Sequence, residues 1–179
     1  LLTSGGSSVL SYGMKRDFNA WLASLGQASP VKTLTELREW NLAHQQAGTL
    51  KYGQARLDAS DALDLEADRA EYEADRARDL WLNGEHGIDE VMTALELDAL
   101  FFPGSSSAGI AAKPGYPTVM VPFGFVESSS RGMPEGFDPK PRPFGVSFTG
   151  MACSEPRLLE LAYAFEQATL RRVPPPGMQ

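Results

Sequence analysis

Apolar residues along this chain fall into two kinds of pattern. Short, largely apolar runs mark three strands: Ala99-Leu-Phe-Phe102, stopped by Pro103-Gly104; Pro117 to Val121, between Gly115 and the Pro122/Gly124 pair; and Phe144-Gly-Val-Ser-Phe148, closed by Thr149-Gly150. The central run is wholly apolar and bounded by turn residues, which predicts a strand buried on both faces. Proline is tolerated at its first position, Pro117, and just past its end, Pro122, but not in its middle.

The second pattern repeats at helical spacing. Leu10, Met14, Phe18, Trp21, Leu22 and Leu25 predict a helix that starts at Ser7 or Ser8, runs to about Leu25 and stops at Gly26. Thr33-Leu-Thr-Glu36 has the form of a capping box and opens a second helix to about Gln46, with Leu34, Leu37, Trp40 and Asn41 inward and Gly48 as its end. A shorter helical piece lies at 54–57. Residues 63–81 are the most charged, with Glu66/Arg69, Glu73/Arg76 and Asp75/Arg78 three apart and a thin stripe of Leu65, Tyr72, Leu80 and Trp81. This predicts a solvated helix, or a buried polar network of Tyr72, Arg76 and Asp79. A short helix at 88–95 leads into the first strand. The last helix starts after Ser154 and runs to about Arg172, with Leu158, Leu161, Ala162, Phe165 and Ala168 as its buried face; Pro174-Pro-Pro176 forbids continuation.

Between these elements, 105–114 is a loop of small residues, and 127–143 carries Gly132, Pro134, Gly136, Pro139, Pro141 and Pro143, so it is a long loop. The order of elements predicts an α/β chain, part of a mixed sheet covered by helices and incomplete as a sheet, in a single unit over 1–179.

Composition narrows the function classes. Net charge is −7 and no lysine/arginine cluster occurs, so a phosphate backbone would be repelled and nucleic acid is not an expected partner. No apolar run approaches the roughly 20 residues that span a bilayer, so no membrane is expected. The single cysteine, Cys153, excludes an internal disulfide and favours a reducing, cytoplasmic setting. The opening Leu1-Leu-Thr-Ser-Gly-Gly6 lacks the basic start and apolar core of a signal peptide, and is expected to begin in mid-sequence.

Candidate chemistry is sparse. His44 and His86 are too isolated for a metal site, and His86, beside Gly87, reads as a helix-end residue. Cys153 reads as a small buried residue. Ser105-Ser-Ser107 follows a strand, where pockets of α/β sheets open, and Lys113 is near in sequence. A serine nucleophile needs a base in reach and oxyanion donors, and no spacing here supplies either.

Three blocks in order resemble the C-terminal part of amidase-signature enzymes: Gly115-Tyr-Pro-Thr-Val-Met-Val-Pro-Phe-Gly124; Pro143-Phe-Gly-Val-Ser-Phe-Thr-Gly150; and Ser154-Glu-Pro-Arg-Leu-Leu-Glu-Leu-Ala-Tyr-Ala-Phe-Glu-Gln167. Tyr72-Glu-Ala-Asp-Arg76 and Asp98-Ala-Leu-Phe-Phe-Pro103 are similar to the approach to that block, so the resemblance covers essentially the whole chain. It implies hydrolysis of carbon–nitrogen amide bonds through an acyl-serine, by a Ser-Ser-Lys triad and a glycine/serine loop, without cofactor or metal. Those parts lie in the N-terminal half of such enzymes. Gly5-Gly-Ser-Ser8 is similar to the serine loop only at its start, because Val9 and Leu10 replace its glycines. No catalytic residue is therefore assigned in this chain, which alone is expected to be inactive. Gly104, Ser105, Ser106 and Tyr116 are the candidates for a substrate-pocket wall. Expected partners are a small-molecule amide and either the missing N-terminal half or a second copy, joined through an exposed sheet edge. The alternatives are a glutamine-dependent amidotransferase subunit of the same family and a non-catalytic binding or assembly domain.

Overall fold

The computed structural model describes residues 7–129, 131–132 and 135–174; the readings made at Gly5, Gly6, Pro134, Pro175 and Pro176 lie outside them. The chain divides into two compact units, Leu1–Arg78 and Asp79–Gln179.

The first unit is helical: α1 (Val9–Ser24), α2 (Leu34–Ala43), α3 (Ala55–Asp61) and most of α4 (Arg69–Leu80). Helix α1 occupies the predicted span but turns a different side inward. Tyr12 and Leu22 are buried, whereas Leu10 is 71% exposed and Trp21 and Leu25 are exposed too. The reason is polar. Tyr12 can be buried because its hydroxyl donates to the Leu65 carbonyl at 2.6 Å, while its ring stacks on Tyr72 at 4.3 Å. Lys15, on the same helix, donates to the carbonyls of Asp61 and Leu63. Ser8 holds the N-cap position, but its side chain makes no capping bond; its N–H donates to Asp75 at 2.6 Å instead.

Half of the capping box of α2 forms. Thr33 accepts the Glu36 N–H at 3.1 Å, and the Glu36 carboxylate accepts the N–H of Lys32 rather than that of Thr33. Leu34 is buried as predicted, but Trp40 is exposed and stacks on His44. The helix ends at Ala43, and a 3₁₀ turn, Gln45–Ala47, carries the chain to Gly48 at φ +86°.

The charged helix starts later than its charge pattern predicts. Asp64 accepts the N–H groups of Glu66 and Ala67, and Asp68 accepts that of Asp64, so this turn is a carboxylate-held lead-in to α4. The Glu66–Arg69 and Asp75–Arg78 pairs form, at 3.2 and 2.7 Å. Asp75 is nevertheless buried, not solvated, because it receives the start of α1.

In the second unit the chain passes through a wide π-type turn, Trp81–Asp89, into α5 (Glu90–Ala94), β1 (Leu100–Pro103), α6 (Ala108–Ala112), β2 (Thr118–Val126), β3 (Arg142–Thr149) and α7 (Glu155–Thr169). The sheet has the order β1-β3-β2, with both pairs antiparallel; Thr149 is opposite Leu100 on one side and Thr118 on the other. Strand β3 is therefore central, and Gly145 to Thr149 are buried on both faces.

Strand β2 corrects two expectations. It is buried on one face only: Val121 is buried and Val119 packs with it, while Met120 is 49% exposed. It also continues through Pro122 to Val126, past a register shift between Pro122 and Gly124. An outer strand needs no N–H at every position, which makes a proline at a bulge acceptable.

Helix α7 covers the Val121/Val146/Phe148 face through Leu158 and Ala162, with Leu161 and Phe165 partly buried beside them. Ala168 is exposed, and the helix stops at Thr169, where Leu170 adopts φ +48°. Ser154 is at the N-cap, but its hydroxyl donates to Met151 instead of capping. Cys153 is exposed, at φ +61°, because the tight turn before α7 points it outward, contrary to the buried role expected of it.

Candidate functional site

The predicted pocket residues lie on either side of α6. Gly104, Ser105 and Ser106 form the turn that leaves β1, and Tyr116 precedes β2. Gly104 sits at φ +59°, where a side chain would be strained. Its N–H donates to the Gly145 carbonyl at 2.7 Å, extending the β1–β3 ladder beyond Pro103. Ser105 and Ser106 are exposed, and the Ser106 hydroxyl donates to the Pro103 carbonyl at 2.8 Å. Ser107 is wholly buried. Its hydroxyl meets that of Ser147 at 3.0 Å, and Ser147 donates to the Gly104 carbonyl at 2.8 Å.

Two polar contacts tie the chain after α6 to the end of α4 and to the π-type turn. Lys113 meets Asp79 at 2.7 Å, and this carboxylate is buried, with Asn83 donating to the Asp79 carbonyl. Tyr116 donates its hydroxyl to Asp89 at 2.6 Å. That bond, together with burial and the negative charges of Asp89 and Glu85, pushes the phenol up to about 12. Tyr116 is thus a neutral donor committed to a carboxylate. Between these two ties the chain passes close to Gly84, where a Cβ would lie 3.2 Å from Pro114 and 3.4 Å from the Tyr116 oxygen.

The hydroxyls of this turn and of β3 serve the main chain and one another. Ser106 donates to a carbonyl, Ser107 and Ser147 bond to each other, and Lys113 is held by Asp79. Among the described residues there is no cluster of three or more metal-ligating side chains. Nor is any described helix long and apolar enough to cross a membrane. The network expected of Tyr72, Arg76 and Asp79 is divided differently: the Tyr72 hydroxyl accepts from Arg16 at 3.0 Å, while Asp79 takes Lys113. His86 lies against Trp81 within the π-type turn, with ring centroids 4.2 Å apart and the planes tilted by 32°.

Sequence reasoning missed Asp89 and the Ser107–Ser147 pair. Asp89 carried no signal. Ser147 did, as a lone hydroxyl between Val146 and Phe148 in an apolar strand, where a buried polar group requires a partner.

No family model matches the chain. It is 32% identical over 173 residues to a probable amidase of Arabidopsis thaliana, a match that covers 96% of this chain and 31% of the relative. Among solved structures, the native peptide amidase of Stenotrophomonas maltophilia matches with a TM-score of 0.78 and 33% identity, over 96% of this chain and 34% of that one. A peptide amidase in complex with the competitive inhibitor chymostatin matches with a TM-score of 0.77 and 32% identity, over 94% and 34%. An amidase family protein of Bacillus anthracis matches with a TM-score of 0.74 and 26% identity, over 93% and 30%. The chain is thus related in sequence and fold to the amidases, and it spans about a third of the length of those it matches.

Proposed function

We propose that this chain is the C-terminal scaffold of an amide-hydrolysing enzyme of the amidase-signature kind, supplying sheet, cover helix and pocket wall to a Ser-Ser-Lys triad carried outside these residues. The observation that carries the reading is the match to peptide amidase over 96% of the chain at a TM-score of 0.78. The hydroxyl bonding supports it, because Ser106, Ser107 and Ser147 serve main chain and one another. In the reaction, a serine oxygen attacks the amide carbonyl carbon. The C–N bond then breaks, with a proton passing to the departing amine, and water hydrolyses the acyl-serine ester. The substrate in this reading is a small or peptide-like amide. The uncharged outer strand β2, with Met120, Phe123 and Phe125 exposed along it, is the surface that joins the remaining part of the domain.

The test is amide hydrolysis by the isolated chain and by the chain refolded with a segment that supplies the triad. The isolated chain is expected to show background turnover only, and the assembled pair measurable turnover. In the pair, Ser7→Ala with Ser8→Ala retains activity, whereas Ser105→Trp changes KM. Hydrolysis by the isolated chain that is abolished at Ser7, Ser8 or Ser106 overturns the proposal.

A further inference from the structure

We infer that Ser107 and Ser147 are positioning residues: a one-way hydroxyl relay from Ser107 to Ser147 to the Gly104 carbonyl sets the turn that carries Ser105 and Ser106. The functional part of this inference rests on the pocket role proposed for that turn.

The direction of the relay follows from proton counting. Ser147 has one hydroxyl proton, and it is donated to the Gly104 carbonyl at 2.8 Å. The 3.0 Å contact between the two serine oxygens must then use the Ser107 proton, with Ser147 accepting. Both serines are fully buried, so neither can exchange its partner for water. Strand β3 consequently holds Gly104 twice, through the Gly145 carbonyl at its N–H and through Ser147 at its C=O. Fixing both ends of this left-handed residue determines how the following two serines leave the sheet. Ser106 closes the turn by bonding back to Pro103, and the Ala108 N–H donates to Ser105. The pair therefore acts on the wall through the main chain of Gly104, without reaching a substrate itself.

Hydrogen exchange on the 179-residue chain tests the relay without any need for activity. Ser147→Ala is expected to raise exchange at the Gly104, Ser106 and Ala108 amides by about tenfold or more, since it leaves the half-buried Gly104 carbonyl and the buried Ser107 hydroxyl without their partner. Ser107→Ala is expected to have a smaller effect at the same amides, because the Ser147–Gly104 bond survives it. Ser147→Cys keeps the shape with a weaker donor and is expected to fall between, which preserves the test if the alanine variant does not fold. Equal effects of the two alanine variants, or faster exchange spread evenly over β3, overturn the relay. In the assembled enzyme, Ser147→Ala is expected to raise KM and leave kcat unchanged. Local exchange that rises while KM stays fixed for every amide overturns the pocket role instead. A shifted KM in Ser105→Trp, with unaltered exchange in Ser147→Ala, overturns the relay alone.

Discussion

Leu158 and Phe165 lie two turns apart on α7, and truncating each to alanine separates depth from size. Leu158 is fully buried in the Val121/Val146/Phe148 cluster. Removing three carbons forfeits about 2.4 kcal/mol of transfer free energy, at about 0.8 per carbon. The space left is backed by rigid main chain, because a Cβ at Gly150 would already lie 3.3 Å from a Leu158 methyl. Collapse is hindered there, so a cavity contribution brings the expected cost to about 3–4 kcal/mol. Phe165 is the larger side chain and contacts Phe148, Phe101 and Phe123 with centroids 5.7–6.0 Å apart, but it is only partly buried. Its truncation is expected to cost about 2 kcal/mol, part area and part ring contact. Urea unfolding followed by far-UV circular dichroism checks the order, with the midpoint falling and the slope unchanged. Hydrogen exchange at the Val146 and Phe148 amides reports the same loss locally. A cost below about 1 kcal/mol for Leu158→Ala, or a larger cost for Phe165→Ala, refutes the argument that depth outweighs size here.

Gly145→Ala places a methyl 2.8 Å from the Val121 carbonyl oxygen across the β2–β3 ladder, and is expected to destabilise by about 1–3 kcal/mol; retained protection of the β2 amides in that variant counts against a tight ladder. Asp75 is held below the usual carboxylate range, first by the Ser8 N–H and further by Arg78, against the opposing effect of burial. A depressed native pKa means that its contribution is complete above the unfolded value, roughly 3.9, and is lost as pH falls through the lower native value. Thermal melts should therefore show the stability advantage of the wild type over Asp75→Asn shrinking as pH drops below about 4, and an advantage that grows there refutes the hold of Asp75 on the Ser8 N–H.

Much of the element order was legible without coordinates. Apolar runs closed by turn residues marked all three strands, although β2 ran on past its expected stop at Val121 to Val126, and the Leu158/Ala162 spacing placed the covering face of α7. These are local consequences of backbone period and turn chemistry, which act over a few residues. The resemblance to amidases was also legible, in three blocks that span β2, β3 and α7.

The tertiary structure decided matters that depend on a distant partner. Whether Tyr12 or Leu10 turned inward depended on the Leu65 carbonyl, 53 residues away, being free to take a hydroxyl proton. Whether β2 was covered once or twice depended on the strand order, which left β2 outside β3 and gave α7 only one of its faces. Asp75 looked like one charge on a solvated helix until the start of α1 reached it. Ser107 and Ser147, forty residues apart, became a pair only because β1 and β3 are neighbours. Sequence period fixes which residues share a face, but the choice of which face is buried and which polar group is satisfied belongs to contacts made across the fold.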